Sequence, residues 1–475
     1  MRAAGLPRRH LGCDRPTRGP AKRDPFMRLK ISEIIFAIRS NFWFIPTILS
    51  LIAIAAAYLF VEVDLWIARG VYEAYLPALR MPVESARLVL STIAGSMITV
   101  ASLVFSLTLV ALTLVSQQLG PRALLHFMDD RPTQIVLGLF IATFLFALVV
   151  LTRLDDEVIG GQVPGLAVIA AVGLSVVALG MVIHFIHHIA TRIQADVLIA
   201  ELGGDFRAAA ETFVSRGQAE DAFADDAERE NLLRRFDGGN CFDISLGHSG
   251  YLLRFDTGAI GRLAKEHDLV LRVEARPGAF VLAGHPLLTA ISVGDAEVDE
   301  DTLTRFRDQL SVGARRTPQA SIEFDLKALV EVALRALSPG INDPYTAAAC
   351  IDRLADGMRV LMARETEQRV TRDDDGYVRV IHMPEPFERN LSLAFDPIIK
   401  AGHEHAIILG KLAEVLSQLR GQACHLHQEE AVTQQLSNVV ALARQQDFSR
   451  AQQEEIFAFA DLAPPLPASN AADRA

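Results

Sequence analysis

Four long apolar runs dominate the first two hundred residues, and they constrain the fold more than any other feature. A membrane-spanning helix needs about 20 mostly apolar residues. The segments 44–63, 88–115, 133–151 and 165–189 meet that requirement, and the second is long enough to tilt or to protrude. Short connections separate them. The chain as a whole is 51% hydrophobic yet 22% charged, a mixture expected of a membrane part joined to a soluble part. The reading is therefore an α-helical integral membrane protein with four transmembrane helices and a C-terminal cytoplasmic α+β domain.

Charge sets the expected orientation. Arginine and lysine crowd the first forty residues, and Arg122 and Arg131 lie between spans 2 and 3. The loop between spans 3 and 4, "TRLDDEVIGGQVPG", has one arginine against three acids. The positive-inside rule then puts both termini in the cytoplasm and the 64–87 and 152–164 loops outside, in a multi-pass protein of a bacterial inner membrane. Arg69, Arg80 and Arg87 in the first outer loop run mildly against this. The net charge of −11, with the basic excess confined to the N-terminus, argues against nucleic acid as a partner and leaves the lipid bilayer as the main one. Cys13, Cys241, Cys350 and Cys424 are too scattered to make a disulfide framework or a zinc knuckle.

The composition divides the chain into a basic, disordered extension (1–26), a transmembrane region (27–190), a helical linker with a small β-rich part (191–298), a mainly helical part (299–460) and a disordered tail (461–475). "SGYLLRF", "LVLRVEA", "AFVLA" and "PLLTAISV" alternate like strands, and "DTGAIGRLAKEHD" reads as a helix capped by Asp256 or Thr257. "RPGAFVLAGHPLL" resembles the hairpins of barrel-sandwich folds such as lipoyl domains. The tip carries no lysine, so a structural barrel without a swinging arm is expected. The tip "DDDG" of a second hairpin, 373–376, lacks the alternating ligands of a calcium loop and reads as a solvated turn.

Three polar features interrupt this scheme. In span 2, Thr92, Ser96, Thr99, Ser102, Ser106, Thr113 and Gln117 recur at steps of three, four or seven and fall within an arc of about 120°. Such a row serves either close helix packing or a hydrated path, and it holds no charge from which a selective filter could be built. In span 4, Gly173, Gly180, His184, His187 and Thr191 share a face expected to pack inside the bundle, with His188 beside it. His184 and His188 have metal-ligand spacing on one helix face, but no acid or cysteine lies within a turn. Interfacial or packed histidines, or a titrating pair, are the other readings, and no metal or cofactor is assigned.

The third feature is "ALSPGINDPYTAAAC", residues 336–350. Ser338-Pro339 ends one helix, and Asp343 with Pro344 is placed to cap the next. Punctuation leaves Asn342, Tyr345 and Thr346 unexplained, so a polar pocket is the alternative. The stretch "ALRALSPGINDPYTA" resembles the signature of a bacterial family of predicted membrane proteins, domain of unknown function 2254. "SMITVASLVFSLTLVALTLVSQQLGPR", "RPGAFVLAGHPLL" and "GARRTPQASIEFDLKALVEVALRALSPGIND" are similar to its second span and soluble part. The resemblance implies four spans and a cytoplasmic domain, and no activity.

Two functions stand level. One is an oligomeric, channel-like conduit in which span 2 lines the axis of a homo-oligomer and the soluble domain gates or assembles it. The other is a membrane-anchored scaffold or sensor. A membrane enzyme comes third, because the chain has no GxxxxGK[ST], GxSxG or HExxH and no GxGxxG between a strand and a helix.

Overall fold

The computed structural model describes residues 43–68, 82–120, 130–154, 163–219, 221–238, 241–293, 298–314, 316, 321–363, 369–383 and 386–461. The extension 1–26 and the tail beyond 461 lie outside the described residues. Four helices are long and apolar enough to cross a membrane: α1 (Phe44–Ala68), α2 (Val83–Leu119), α3 (Arg131–Thr152) and α4 (Gly165–Arg192). They correspond to spans 1 to 4. Helix α3 lies at the centre, packed on all three of the others, and its Phe140, Phe146 and Val150 are fully enclosed.

Inside this bundle, polar groups are matched to backbone ends. Asp64 sits near the end of α1 and is buried. Its carboxylate accepts the Leu166 and Ala167 N–H groups, at 3.1 and 2.9 Å, and so caps α4 from a neighbouring helix. At the opposite end Asp130 caps α3, accepting the N–H and the hydroxyl of Thr133. Both carboxylates lie where a helix N-terminus offers unpaired N–H groups and partial positive charge.

Helix α5 (Ala195–Ala219) follows α4 almost without a break and enters a second core. Five more helices build that core: α9 (Ile322–Ala336), α10 (Pro344–Leu361), α11 (Phe387–Gly402), α12 (Ala406–Arg420) and α13 (Leu426–Gln445), with α14 (Arg450–Asp461) against α12. Helices α5 and α10 cross closely because Gly357 lets the Phe206 ring rest on its backbone.

A β-rich part lies between α5 and α9. Its strands are β1 (Asp221–Ala222), β2 (Cys241–Ser245), β3 (Gly250–Phe255), β4 (Leu269–Val273), β5 (Phe280–Val281), β6 (Pro286–Ser292) and β7 (Leu310–Gly313). It also holds α6 (Asp226–Gly238), α7 (Thr257–Glu266) and α8 (Glu300–Arg307). The hairpin of β8 (Arg369–Arg372) and β9 (Val378–Ile381) returns to it from the helical part. The order is β1-β8-β9-β4-β6-β2 in one sheet and β5-β3-β7 in the other.

The expected barrel-sandwich is not what forms. Among the described residues the strands make two open sheets. Strand β9 adds in parallel beside β4, with Leu271 opposite Val380, which extends the sheet instead of closing it. The two arms of the hairpin thought most barrel-like part company, β5 pairing with β3 while the second arm opens β6 in the other sheet. The acidic tip is a turn: Asp373 accepts the Asp375 and Tyr377 N–H groups and pairs with Arg379 at 2.7 Å.

The Asp64 cap gives a direct test. Asp64→Ala should destabilise the bundle by about 0.5–2 kcal/mol, the usual cost of a lost cap, with Asn recovering part of it. The melting temperature of the purified protein in detergent measures this. An unchanged value for the alanine variant would remove the cap from the account.

Candidate functional site

The hydroxyl row of α2 lies on the outside of the bundle. Thr92, Ser96, Thr99, Ser102, Ser106, Thr113 and Gln117 are all exposed, while Ile93, Met97, Ala101, Val104 and Thr108 form the inward face. Packing within the chain's own bundle therefore does not account for the row. The hydroxyls of Thr92, Thr99, Ser102 and Thr113 donate to the carbonyls of Leu88, Gly95, Ile98 and Leu109, at 2.7–2.9 Å. Those bonds satisfy the O–H donors without water and leave each oxygen with acceptor capacity. Gly95 sits in the same face with nothing within 4 Å of where its Cβ would stand. The surface thus combines small residues with hydroxyls, the composition that lets two spanning helices approach closely.

The same helix continues beyond the bundle. Ala111 and Val115 are buried in the core of the C-terminal helices, and α2 packs directly on α9. The Arg335 Nε–H donates to the Gln117 carbonyl at 2.6 Å. Just past the helix, Gly120 adopts φ +99, and a Cβ there would lie 2.8 Å from Glu331 Oε1. The backbone favours glycine there, since L side chains are strained at that φ, and the end of the Glu331 side chain occupies the space beside it. Span 2 and the "ALRALSPGIND" helix therefore form one joint.

A second link closes the opposite side. Asp130 accepts His188 Nε2–H at 2.9–3.0 Å and lies 3.3 Å from Arg192, which in turn pairs with Glu201 of α5 at 2.8 Å. His188 is thus engaged in tying α3 to α4. His184 stacks on it with ring centroids 6.0 Å apart, and His184 and His187 are exposed. Among the described residues no three His, Cys, Asp or Glu side chains converge as a metal site would require. The glycine face of α4, expected to pack inward, is instead outward. Gly173 and Gly180 have nothing within 4 Å, because Ala171, Ala178 and Phe185 supply the packed face.

The loop 338–343 folds largely as helix punctuation. Asn342 takes φ +50, Asp343 N–H donates to the Ala336 carbonyl, and the Asp343 carboxylate accepts Thr346 N–H and the Thr346 hydroxyl at 3.1 and 2.6 Å. These bonds hold the Asp343 carboxyl below the usual carboxylate range. Tyr345 takes part through its backbone N–H, while the residue is 72% exposed. No closed polar pocket unites Asn342, Asp343, Tyr345 and Thr346: Asp343 and Thr346 bond each other, while Asn342 and Tyr345 are exposed.

One titrating group lies beyond these features. Asp325 is buried in the first turn of α9, and its burial, helped by the nearby Asp205 charge, raises its pKa to about 7.

A family model described as "Predicted membrane protein (DUF2254)" matches residues 39–418. The chain belongs to that family. Two mycobacterial relatives, one of Mycobacterium bovis and one of Mycobacterium tuberculosis, are both described as uncharacterized. Each is 30% identical over 365 residues, covering 76% of this chain and 68% of its own length. No solved structure matches. The family match spans the four helices, the joint and the punctuated loop, so the geometry above describes a DUF2254 membrane protein of four candidate spans and an α+β region.

Several site residues were not singled out from sequence. Asp130 carried a readable signal, an aspartate followed by Arg-Pro at the start of an apolar run. Asp64 and Asp325 carry no local signal of their roles, because the groups that face them come from distant parts of the chain.

Two outcomes follow. Asp343→Ala should cost about 0.5–2 kcal/mol, with Asp343→Asn largely restoring the melting temperature. Asp325 works in the opposite sense. Its folded pKa exceeds the ordinary 3.8, so the folded state holds the proton longer and stability falls as pH rises from about 4 to about 7. Asp325→Asn should flatten that fall by up to about 4 kcal/mol, at roughly 1.4 kcal/mol per pKa unit. Parallel melting profiles for the two proteins across this window would contradict it.

Proposed function

We propose that this DUF2254 protein assembles through the outward face of α2 into a homo-oligomer whose hydroxyl row borders a conduit across the membrane. The C-terminal region would set the state of that conduit through the Gln117–Arg335 joint. The observation that carries this reading is the exposure of the whole row outside the bundle. A lipid-facing helix has no use for the five aligned polar residues from Thr92 to Ser106, whereas a helix facing another copy or water does. The charge asymmetry of the loops supports a cytoplasmic C-terminal region, and a bacterial inner membrane is the matching location.

A second reading rests on the hydroxyl bonds. Because Thr92, Thr99, Ser102 and Thr113 donate to their own helix, the row can also be a dry seam between copies in a membrane-anchored scaffold.

Thiol chemistry separates the two. In a conduit, Ser102→Cys and Ser106→Cys in lipid should react with small water-soluble thiol reagents, since the thiolate is the reacting form and hydrocarbon suppresses it. Val104→Cys, on the packed face, and Phe105→Cys, exposed about 120° around the helix from the middle of the row, should stay inert. Ser102→Leu should then block conduction with the assembly intact. Silence at all four positions in an assembled protein would remove the conduit and leave the scaffold.

A further inference from the structure

We infer that the tip of the punctuated loop, Pro339 to Asn342 with Tyr345, is a membrane anchor that inserts into the headgroup layer of the same bilayer the four helices cross. The inference needs only that α1–α4 span a membrane and does not depend on the conduit.

Two independent alignments set the height of the loop. The first runs along α2. Glu331 lies against Gly120 and Arg335 against Gln117, so advancing along α9 moves back down α2 toward the bundle. The two helices are antiparallel there, and the loop that follows Ala336 turns back about one turn further on, near the level of Val115. The second runs along α5. Gly203 lies against Arg353, and Arg207 pairs with Asp356 at 3.2 Å. Helices α5 and α10 thus run parallel and nearly in step, which brings Ala195, the first residue of α5, level with Tyr345. Ala195 stands three residues past Arg192, the end of span 4, across the turn at 193–194, and so at most about 11 Å from it. The headgroup layer on each face of a bilayer is about 5–7 Å deep. Tyr345 therefore stands beside that layer, and the loop tip, which precedes α10, lies on the side toward the bundle.

The side chains suit that layer. Ile341 is 45% exposed and Tyr345 72% exposed, although each is large enough to be buried with profit. Tyrosine has an apolar ring and a polar hydroxyl, the combination favoured at membrane surfaces. A second turn lies alongside. Helix α11 runs parallel to α9, with Arg389 pairing Glu323 at their starts and the Gly402 Cβ position 3.3 Å from Leu337 at their ends. Helix α12 begins there and exposes Ile407. The polar groups of the tip do not oppose insertion. Asp343 is closed off by Thr346, and the N–H groups of Ile341 and Asn342 bond the Ser338 carbonyl.

Site-directed spin labelling of the full chain in phosphatidylcholine–phosphatidylglycerol vesicles tests this. Cys13, Cys241 and Cys424 are replaced by Ser and buried Cys350 is kept. Labels are placed at Ile341→Cys and Tyr345→Cys, with Tyr377→Cys on the distant β8–β9 hairpin as the aqueous reference. Collisions are compared for oxygen, which concentrates in lipid, and a water-soluble nickel chelate. The expected oxygen-to-nickel ratio at 341 and 345 is several-fold above that at 377. An equal ratio overturns the anchor, and so does low access to both reagents, which would mean that protein covers the loop. Should a label disturb the loop, Tyr345→Trp with Trp43 and Trp66 changed to Phe gives a second readout. Its fluorescence should be quenched by lipids brominated near the headgroup, and an unquenched signal again overturns the proposal.

Discussion

Helix α2 is one uninterrupted element that belongs to two cores, and the rest of the architecture depends on that. From Ile93 to Val104 its inward residues complete the membrane bundle, and at Ala111 and Val115 they complete the core of the C-terminal helices. An α-helix transmits displacement along its axis because every turn is hydrogen-bonded to the next. The Arg335–Gln117 bond and the close fit of Glu331 at Gly120 attach α9 to its end. Movement of the C-terminal helices relative to the membrane is therefore coupled to α2 at this joint, and to α4 through its short connection to α5.

The polar groups of the membrane half obey a single constraint. Hydrocarbon offers no hydrogen bonds, so each donor or acceptor needs a partner in the protein. Serine and threonine hydroxyls use the carbonyls of the preceding turn. Asp64 finds the open N–H groups of α4. Asp130 combines the cap of α3 with His188 and Arg192 at the edge of the bundle. The carboxylates are thus paired with helix ends or cations, whereas the row on α2, with Thr92, Thr99, Ser102 and Thr113 bonded to their own helix, faces outward, which is why assembly is proposed there.

Much of this was legible in the sequence where the signal was local. The apolar runs located the four helices to within a few residues, with α2 extending beyond its apolar run at both ends. Asp256 and Asp343 were recognisable as caps because capping needs only an aspartate before a helical pattern, and Pro344 reinforced the second. What stayed hidden depends on contacts between distant segments. No local pattern says that β9 will add in parallel beside β4, so a barrel was a fair expectation and an open sheet the outcome. The glycines of α4 suggested an inward face, but small residues serve a lipid face or a subunit contact equally well. The α2 row could be drawn on a helical wheel, yet the side of the bundle it occupies follows only from the packing of Ile93, Met97 and Val104.

The central claim is that copies of this chain meet through the outward face of α2. Cysteine cross-linking in native membranes measures that most directly. Thr99→Cys, in the middle of the row, should give a disulfide-linked dimer on mild oxidation. Ile183→Cys, exposed on the outer face of α4, should give none. Cross-linking at Ile183 with none at Thr99 would contradict the account.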